Sequence, residues 1–414
     1  MSSEAVGRRD FLKGAAATLA VLAGKRGLAA ADVPTPPASG TVVKLGVLGL
    51  GPWGREIVAV ATRIPTIDLV AICDTYEPFL KRAAQTAPKA TPLSDARALL
   101  DRRDVEGVVV ATPSHLHKDL VLAAVQAGKH VYCEVPLASS LTDAEAIAKA
   151  AAGSKVQVMG GLQGRSNALW AHVFKFVKSG VLGDAAFVRA QWNRKESWRR
   201  TAPSPEREQA LNWRLAKATS SGLAGEIGIH QIDLISRYLG AMPIAVSGFG
   251  ATTAWRDGRE VPDSVQCVFE YPKNVRAVFT ATLASSFAGA YAVFQGNKSS
   301  LLIKESRAWL VKEADAPLLG WEVYARKETV QDETGIALVA DATKILQAGD
   351  EPGKVASVEP EKDALTLSLE AFARLIGEGG PSPCTADEAF RATAVAIRAH
   401  EATLANTRVE IAKQ

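Results

Sequence analysis

The chain has 414 residues, 47% of them hydrophobic and 22% charged, enough to bury the cores of two domains. Its 48 basic and 44 acidic side chains give a net charge of +4, and without residues 1–31 the balance is 43 against 42. A balance so near zero gives no global electrostatic reason to bind nucleic acid or a membrane surface, and the four cysteines show no metal-ligand spacing and require no disulfide.

Residues 1–31 read as an address. Arg8 and Arg9 precede Phe11-Leu12-Lys13 and an alanine-rich apolar run from Gly14 to Gly24, and Ala29-Ala30-Ala31 offers a small-residue cleavage site. The run is too short to span a membrane. The expectation is a twin-arginine signal peptide and a periplasmic or exported protein, with residues 32–40 a proline-stiffened linker.

From residue 41 to 160 strands and helices alternate. An apolar strand beginning at Lys44 enters the loop Gly49-Leu50-Gly51-Pro52-Trp53-Gly54, and a helix runs on to Arg63 before Pro65. A second apolar run, Leu69 to Cys73, ends on Asp74, 20 residues past Gly54. That order of strand, G-x-G-x-x-G loop, helix, strand and acid is what a dinucleotide site requires. Gly49 permits the tight turn, Gly51 lets backbone approach a pyrophosphate, and Gly54 lets the helix pack on the sheet. Asp74 would accept hydrogen bonds from the adenosine ribose and repel a 2′-phosphate, so NAD is favoured over NADP. Ser94-Asp95 can cap a short helix through Leu100, Val105–Val110 is a buried strand, and His115–Ala127 a helix closed by Gly128. Strand His130–Cys133, helix Ser140–Ala151 and strand Val156–Met159 follow. Continuous apolar strands separated by helices imply a parallel sheet covered on both faces, a Rossmann domain spanning residues 41–160.

Residues 161–414 change in character. A helix, Ala168–Lys178, precedes short alternating strands at Ala186–Asn193, Ser264–Tyr271, Val275–Leu283, Tyr291–Gln295 and Ser300–Ile303, with helices Asp363–Ile376 and Thr385–Leu404 at the end. The expectation is an α+β domain with an open, mainly antiparallel sheet, helices on one face, and a homo-oligomer covering the other.

Three segments carry candidate chemistry. After the buried strand ending at Val110, Thr112-Pro113-Ser114 would lie where a nicotinamide ribose sits, with Thr112 or Ser114 bonding cofactor hydroxyls. His117 is there a helix residue rather than a catalyst. Glu134-Val135-Pro136 ends the next strand in the same place, Glu134 within reach of the ribose and Pro136 turning the chain. In the third segment Glu226, His230, Asp233 and Arg237 recur at helical spacing, so one face would carry acid, imidazole, acid and guanidinium. Such a face suits proton transfer, and equally a solvated polar surface. Gln163 to Asn167 (with Arg165), Trp192 to Trp198 (with Lys195) and Asn212-Trp213-Arg214 place Trp beside Arg and Asn, as a sugar pocket does, although such Trp also serve in cores.

Taken together, the chain resembles the Gfo/Idh/MocA family over roughly Val43 to Tyr271. The strand–GxGxxG opening matches Leu45–Gly54 and the ribose acid Asp74. The T-P-x-x-x-H segment matches Thr112-Pro113 to His117, the run before E-K-P matches Gly128–Val131, and D-x-x-x-H-x-x-D matches Glu226, His230 and Asp233. The resemblance implies a sugar or polyol oxidoreductase with a tightly held nicotinamide cofactor and a sheet-mediated homo-oligomer. It assigns His230 and Glu226 to catalysis, and Gly49, Gly51, Trp53, Gly54, Asp74, Thr112, Pro113, His117, Glu134 and Pro136 to the cofactor. Arg165, Lys195, Trp213, Arg214 and Asp233 would hold substrate, and no metal is expected.

Two departures bear on the chemistry. The family's E-K-P lysine is Val135 here, and the helix acid is Glu226 rather than Asp. Valine moves no proton, so the usual lysine-containing relay cannot operate unchanged. The first expectation is an NAD-dependent oxidoreductase taking hydride from a secondary hydroxyl of a sugar or glycoside. Alternatives are a redox glycosidase, which oxidises transiently and eliminates the aglycone, and an inactive cofactor- or sugar-binding protein.

Overall fold

A computed structural model describes residues 40–318, 320, 322, 325–338 and 362–412. The leader and residues 32–39 of the linker lie outside the described residues. Six parallel strands form the first sheet: β1 (Val43–Leu48), β2 (Ile67–Cys73), β3 (Thr91–Leu93), β4 (Gly107–Val110), β5 (His130–Cys133) and β6 (Val158–Gly160). Their order is β3-β2-β1-β4-β5-β6, so the chain leaves β1 to one side and returns to its other side at β4. Helices α1 (Pro52–Ala61), α2 (Glu77–Thr86), α3 (Ala96–Leu100), α4 (His117–Gln126) and α5 (Leu141–Ala152) connect them. Every residue of β4 is buried, as in a sheet covered on both faces. The reversal of strand order opens a crevice beyond the carboxyl ends of β1 and β4, where such folds hold ligands. Two glycines make it possible: Gly49 sits at φ +91°, and a Cβ on Gly54 would land 1.9 Å from the Gly49 carbonyl.

The second sheet is built from ten strands, among them β11 (Ala290–Gly296), β12 (Ser299–Lys304), β13 (Arg307–Lys312), β14 (Lys327–Val330), β15 (Glu333–Leu338) and β16 (Arg408–Glu410), in the order β14-β15-β13-β12-β11-β7-β10-β9-β8-β16. Strands β7 (Ala185–Asn193) and β10 (Arg276–Thr282) lie side by side in parallel, and the other pairings are antiparallel. Strands β9 (Ser264–Glu270) and β10 alternate buried and half-exposed residues, because helices cover one face only. Among those helices is α9 (Gly228–Leu239), where a Cβ on Gly228 would meet the Phe279 ring of β10 at 2.8 Å. Another is α11 (Ala386–Ala405), which begins with a capping box between Thr385 and Glu388. Strand β8 (Ala245–Ala251), not anticipated from the sequence, carries Gly248 and Gly250 inside it. Side chains there would collide with the α11 backbone at Thr403, at 2.7 and 2.6 Å, so close helix packing outweighs the low strand propensity of glycine.

The division at residue 160 is crossed by the late helices. α10 (Ala364–Gly377) buries Leu365, Leu369 and Phe372 in the core of the first sheet, and Ser368 lies 3.2 Å from the Tyr132 hydroxyl of β5. The amide of Gly160 donates to the Cys384 carbonyl, joining β6 to the start of α11.

Candidate active site

The cofactor end of the crevice begins at the glycine loop. A Cβ on Gly51 would meet nothing within 4 Å, so space for a close ligand remains beside that backbone. Asp74, at the end of β2, accepts from the Leu50 amide at 2.6 Å and the Tyr76 amide at 2.7 Å, which fixes its carboxylate beside the loop. Past β4, Thr112 Oγ1 is buried without a partner among the described residues, a donor still to be satisfied. These features fit a dinucleotide. Beyond β5, the buried Glu134 accepts from the Gln163 amide at 3.0 and 3.1 Å. Burial pushes its carboxyl up to about 7, against the opposing effect of hydrogen bonds from Trp53 and Gln163.

His117, expected at the cofactor, is held by backbone on both ring nitrogens. Its buried ring lies between the Thr112 carbonyl, 2.8 Å from Nε2, and the Pro136 carbonyl, 3.1 Å from Nδ1. Burial lowers its pKa to about 4, so the ring is neutral and donates to one of the two. It braces the turn at Pro113 against the turn at Pro136, a positioning role where cofactor contact was expected.

The helix face expected to run from Glu226 to Arg237 is interrupted. Gly222–Glu226 forms a short helix (α8), the chain breaks at Ile227, and α9 starts at Gly228. The break lets Glu226 turn toward the first domain. Its Oε1 accepts from Ser114 Oγ at 2.9 Å, from the Ser221 amide at 3.1 Å and from Ser221 Oγ at 3.0 Å. Burial raises its pKa, while Arg214 and these donors counter the rise. The Ser114 bond links the post-β4 turn directly to the helix pair that carries His230. His230, one turn into α9, has an imidazole with no hydrogen bond among the described residues, and burial lowers its pKa against the pull of Asp233.

Two residues expected to bind substrate bind each other instead. Arg165 donates to Asp233 at 2.7 and 3.0 Å and lies 2.7 Å from Glu388 at the cap of α11. The cluster ties the end of the first domain to α9 and α11, an arrangement invisible to spacing because its members lie far apart in sequence. Lys195 is exposed after β7, and only its backbone is held, by Ser286 Oγ at 2.8 Å. Trp213 and Arg214 sit together in a 3₁₀ turn, with the Arg214 guanidinium 5.0 Å from the Trp213 ring and 5.5 Å from that of Trp198.

The family described as "Oxidoreductase family, NAD-binding Rossmann fold" matches residues 43–162, and the "GFO/IDH/MocA C-terminal domain" matches residues 170–302. The chain belongs to the Gfo/Idh/MocA oxidoreductase family. Among relatives, an uncharacterized oxidoreductase of Streptococcus pneumoniae is 27% identical over 78% of this chain and 82% of its own length. The levoglucosan dehydrogenase of Pseudarthrobacter phenanthrenivorans is 33% identical over 35% of this chain and 36% of its own length. A 2,7-anhydro-N-acetylneuraminate hydratase of Escherichia coli is 27% identical over 63% of this chain and 68% of its own. An oxidoreductase domain protein from Kribbella flavida superposes with a TM-score of 0.71 at 25% identity, covering 90% of this chain and all of that one. A levoglucosan dehydrogenase in complex with NADH gives 0.72 over 90% of this chain at 19% identity, a likeness of fold. The family membership makes this Gfo/Idh/MocA chain an oxidoreductase with a Rossmann nucleotide-binding domain.

Proposed function

We propose that this protein oxidises a secondary hydroxyl of a sugar or glycoside with NAD, or runs the reverse reduction. The observation that carries the reading is His230: a half-buried imidazole with no hydrogen bond to its ring among the described residues, its pKa lowered by burial against the pull of Asp233, on the helix pair bonded to the post-β4 turn through Glu226 and Ser114. The loop from Gly49 to Gly54, with Asp74, Thr112 and Glu134, would hold the dinucleotide, which when bound supplies the hydride acceptor. His230 would take the hydroxyl proton. Glu226 fixes the post-β4 turn through Ser114, and Asp233 is the carboxylate whose charge favours the imidazolium. The relatives that act on sugar derivatives support this substrate class.

His230→Ala should cut turnover by roughly 10²–10⁴-fold while bound NAD is retained, since the glycine loop lies elsewhere. Near-normal turnover of this variant on a sugar the wild type oxidises would overturn the assignment. A second reading, oxidation followed by elimination of the aglycone and return of the hydride, is favoured by Val135, which removes the lysine of the usual relay. Relatives named as glycosyl hydrolase family 109 proteins of Shewanella baltica, 28% and 29% identical over 46% of this chain, point the same way. Net NADH formation separates the two: dehydrogenation accumulates it, and a redox lyase or glycosidase turns over without it.

The same proposal includes export through Arg8 and Arg9, and a homo-oligomer through the open face of the ten-stranded sheet. Lysine at both arginine positions should leave the precursor in the cytoplasm.

A further inference from the structure

Arg214 has a guanidinium that touches two indole rings and no acceptor among the described residues. None of its nitrogens makes a hydrogen bond or an ion pair among the described residues, and its Nε is buried without a partner. Other arginines are paired with carboxylates: Arg259 grips Asp257 and the Ser197 carbonyl, leaving only its Nη1 without a partner, and Arg199 pairs with Glu208. The two carboxylates that act on Arg214 electrostatically are Glu226 and Glu196. Both are committed, Glu226 to Ser114 and Ser221, and Glu196 to Arg194 at 3.2 Å. Arg200 adds a second positive charge to the same region.

A half-buried cation with a buried, unused donor is costly unless a ligand completes it. The indoles of Trp198 and Trp213 lie 5.5 and 5.0 Å from the guanidinium carbon and supply ring faces rather than hydrogen-bond acceptors. A ring face takes up no N–H donor in the guanidinium plane, so the donors can form a fork that fits two coplanar oxygens. Through Glu226 this fork belongs to the site next to Ser114 and the proposed hydride-transfer crevice. We infer that Arg214 is the anchor of a carboxylate subsite and that the substrate is an acidic sugar, such as a hexuronic acid, rather than a neutral one. This rests on the sugar oxidoreductase reading. A carboxylate fits better than a phosphate ester, because the nearby Glu226 and Glu196 repel a dianion more strongly than a monoanion.

The test is calorimetric binding to the NADH-loaded protein, with D-glucuronate and D-galacturonate set against D-glucose, D-galactose and D-glucose 6-phosphate. The uronates should bind roughly 10- to 100-fold more tightly than their neutral parents, the range expected of a charged hydrogen-bonded pair. Arg214→Gln should erase that preference while still holding NADH, and Arg214→Lys should restore part of it. Equal binding of acid and neutral sugars, binding of none of them, or tighter binding of the phosphate would each overturn the carboxylate subsite. Hydride exchange between deuterated NADH and any oxidised sugar tests the oxidoreductase reading separately, and its failure would count against that reading alone.

Discussion

Glu134 offers a direct check on how burial shapes this site. Its carboxyl ordinarily titrates at 4.5 and is raised to about 7 in the folded chain by burial. Between those values the folded state holds a proton that the unfolded state has released, so stability falls as pH rises through the window. The slope of about 1.4 kcal/mol per pH unit accumulates to roughly 3 kcal/mol across it. The favourable contribution is fully present below the unfolded pKa and gone above the folded one. Glu134→Gln keeps the shape and removes the titration. Urea unfolding of both proteins without added nucleotide, from about pH 5 to about pH 8, should show the variant gaining roughly 2–3 kcal/mol on the wild type. Other titrating groups cancel in that comparison. A gap between the two proteins that stays constant within about 0.5 kcal/mol over this range would show that Glu134 ionises normally and that the burial argument is wrong.

Three further perturbations probe the frame of the site. Arg165→Met should cost about 3–5 kcal/mol in denaturant stability, because Asp233 would be left buried without its partner; if Arg165→Met with Asp233→Leu recovers none of the loss, the ion cluster is not its source. Asp74→Ala should narrow the preference for NAD over NADP, measured by titrating both nucleotides, and a wild type that binds the two equally would remove the basis for assigning NAD. Gly54→Ala places a methyl 1.9 Å from the Gly49 carbonyl, so nucleotide affinity should collapse in a chain whose second sheet still folds; unchanged affinity would show that the loop does not cradle the pyrophosphate.

The nucleotide-binding half was legible in the sequence because its signals are local. Strand, glycine loop, helix and acid follow one another within 32 residues from Val43 to Asp74, and Gly49 and Gly54 answer steric needs set by the adjacent strand end and by the loop itself. The character of the second sheet was legible for a similar reason, since β9 and β10 alternate with period two. Strand β8 was hidden by its glycines, whose purpose lies in the α11 backbone more than 150 residues away. Helical spacing placed Glu226 and His230 on one face, but a one-dimensional pattern has no means of marking the break at Ile227 that turns Glu226 toward Ser114. Spacing likewise singled out Arg165 and Asp233 as polar without revealing that they satisfy each other. Sequence alone determined which residues are capable of chemistry at this site. Which of them remain free for it was decided only by tertiary contact, because a buried charge or donor must be satisfied by whatever the fold brings within reach, and Arg165 meets Asp233 where Arg214 pairs with no carboxylate among the described residues.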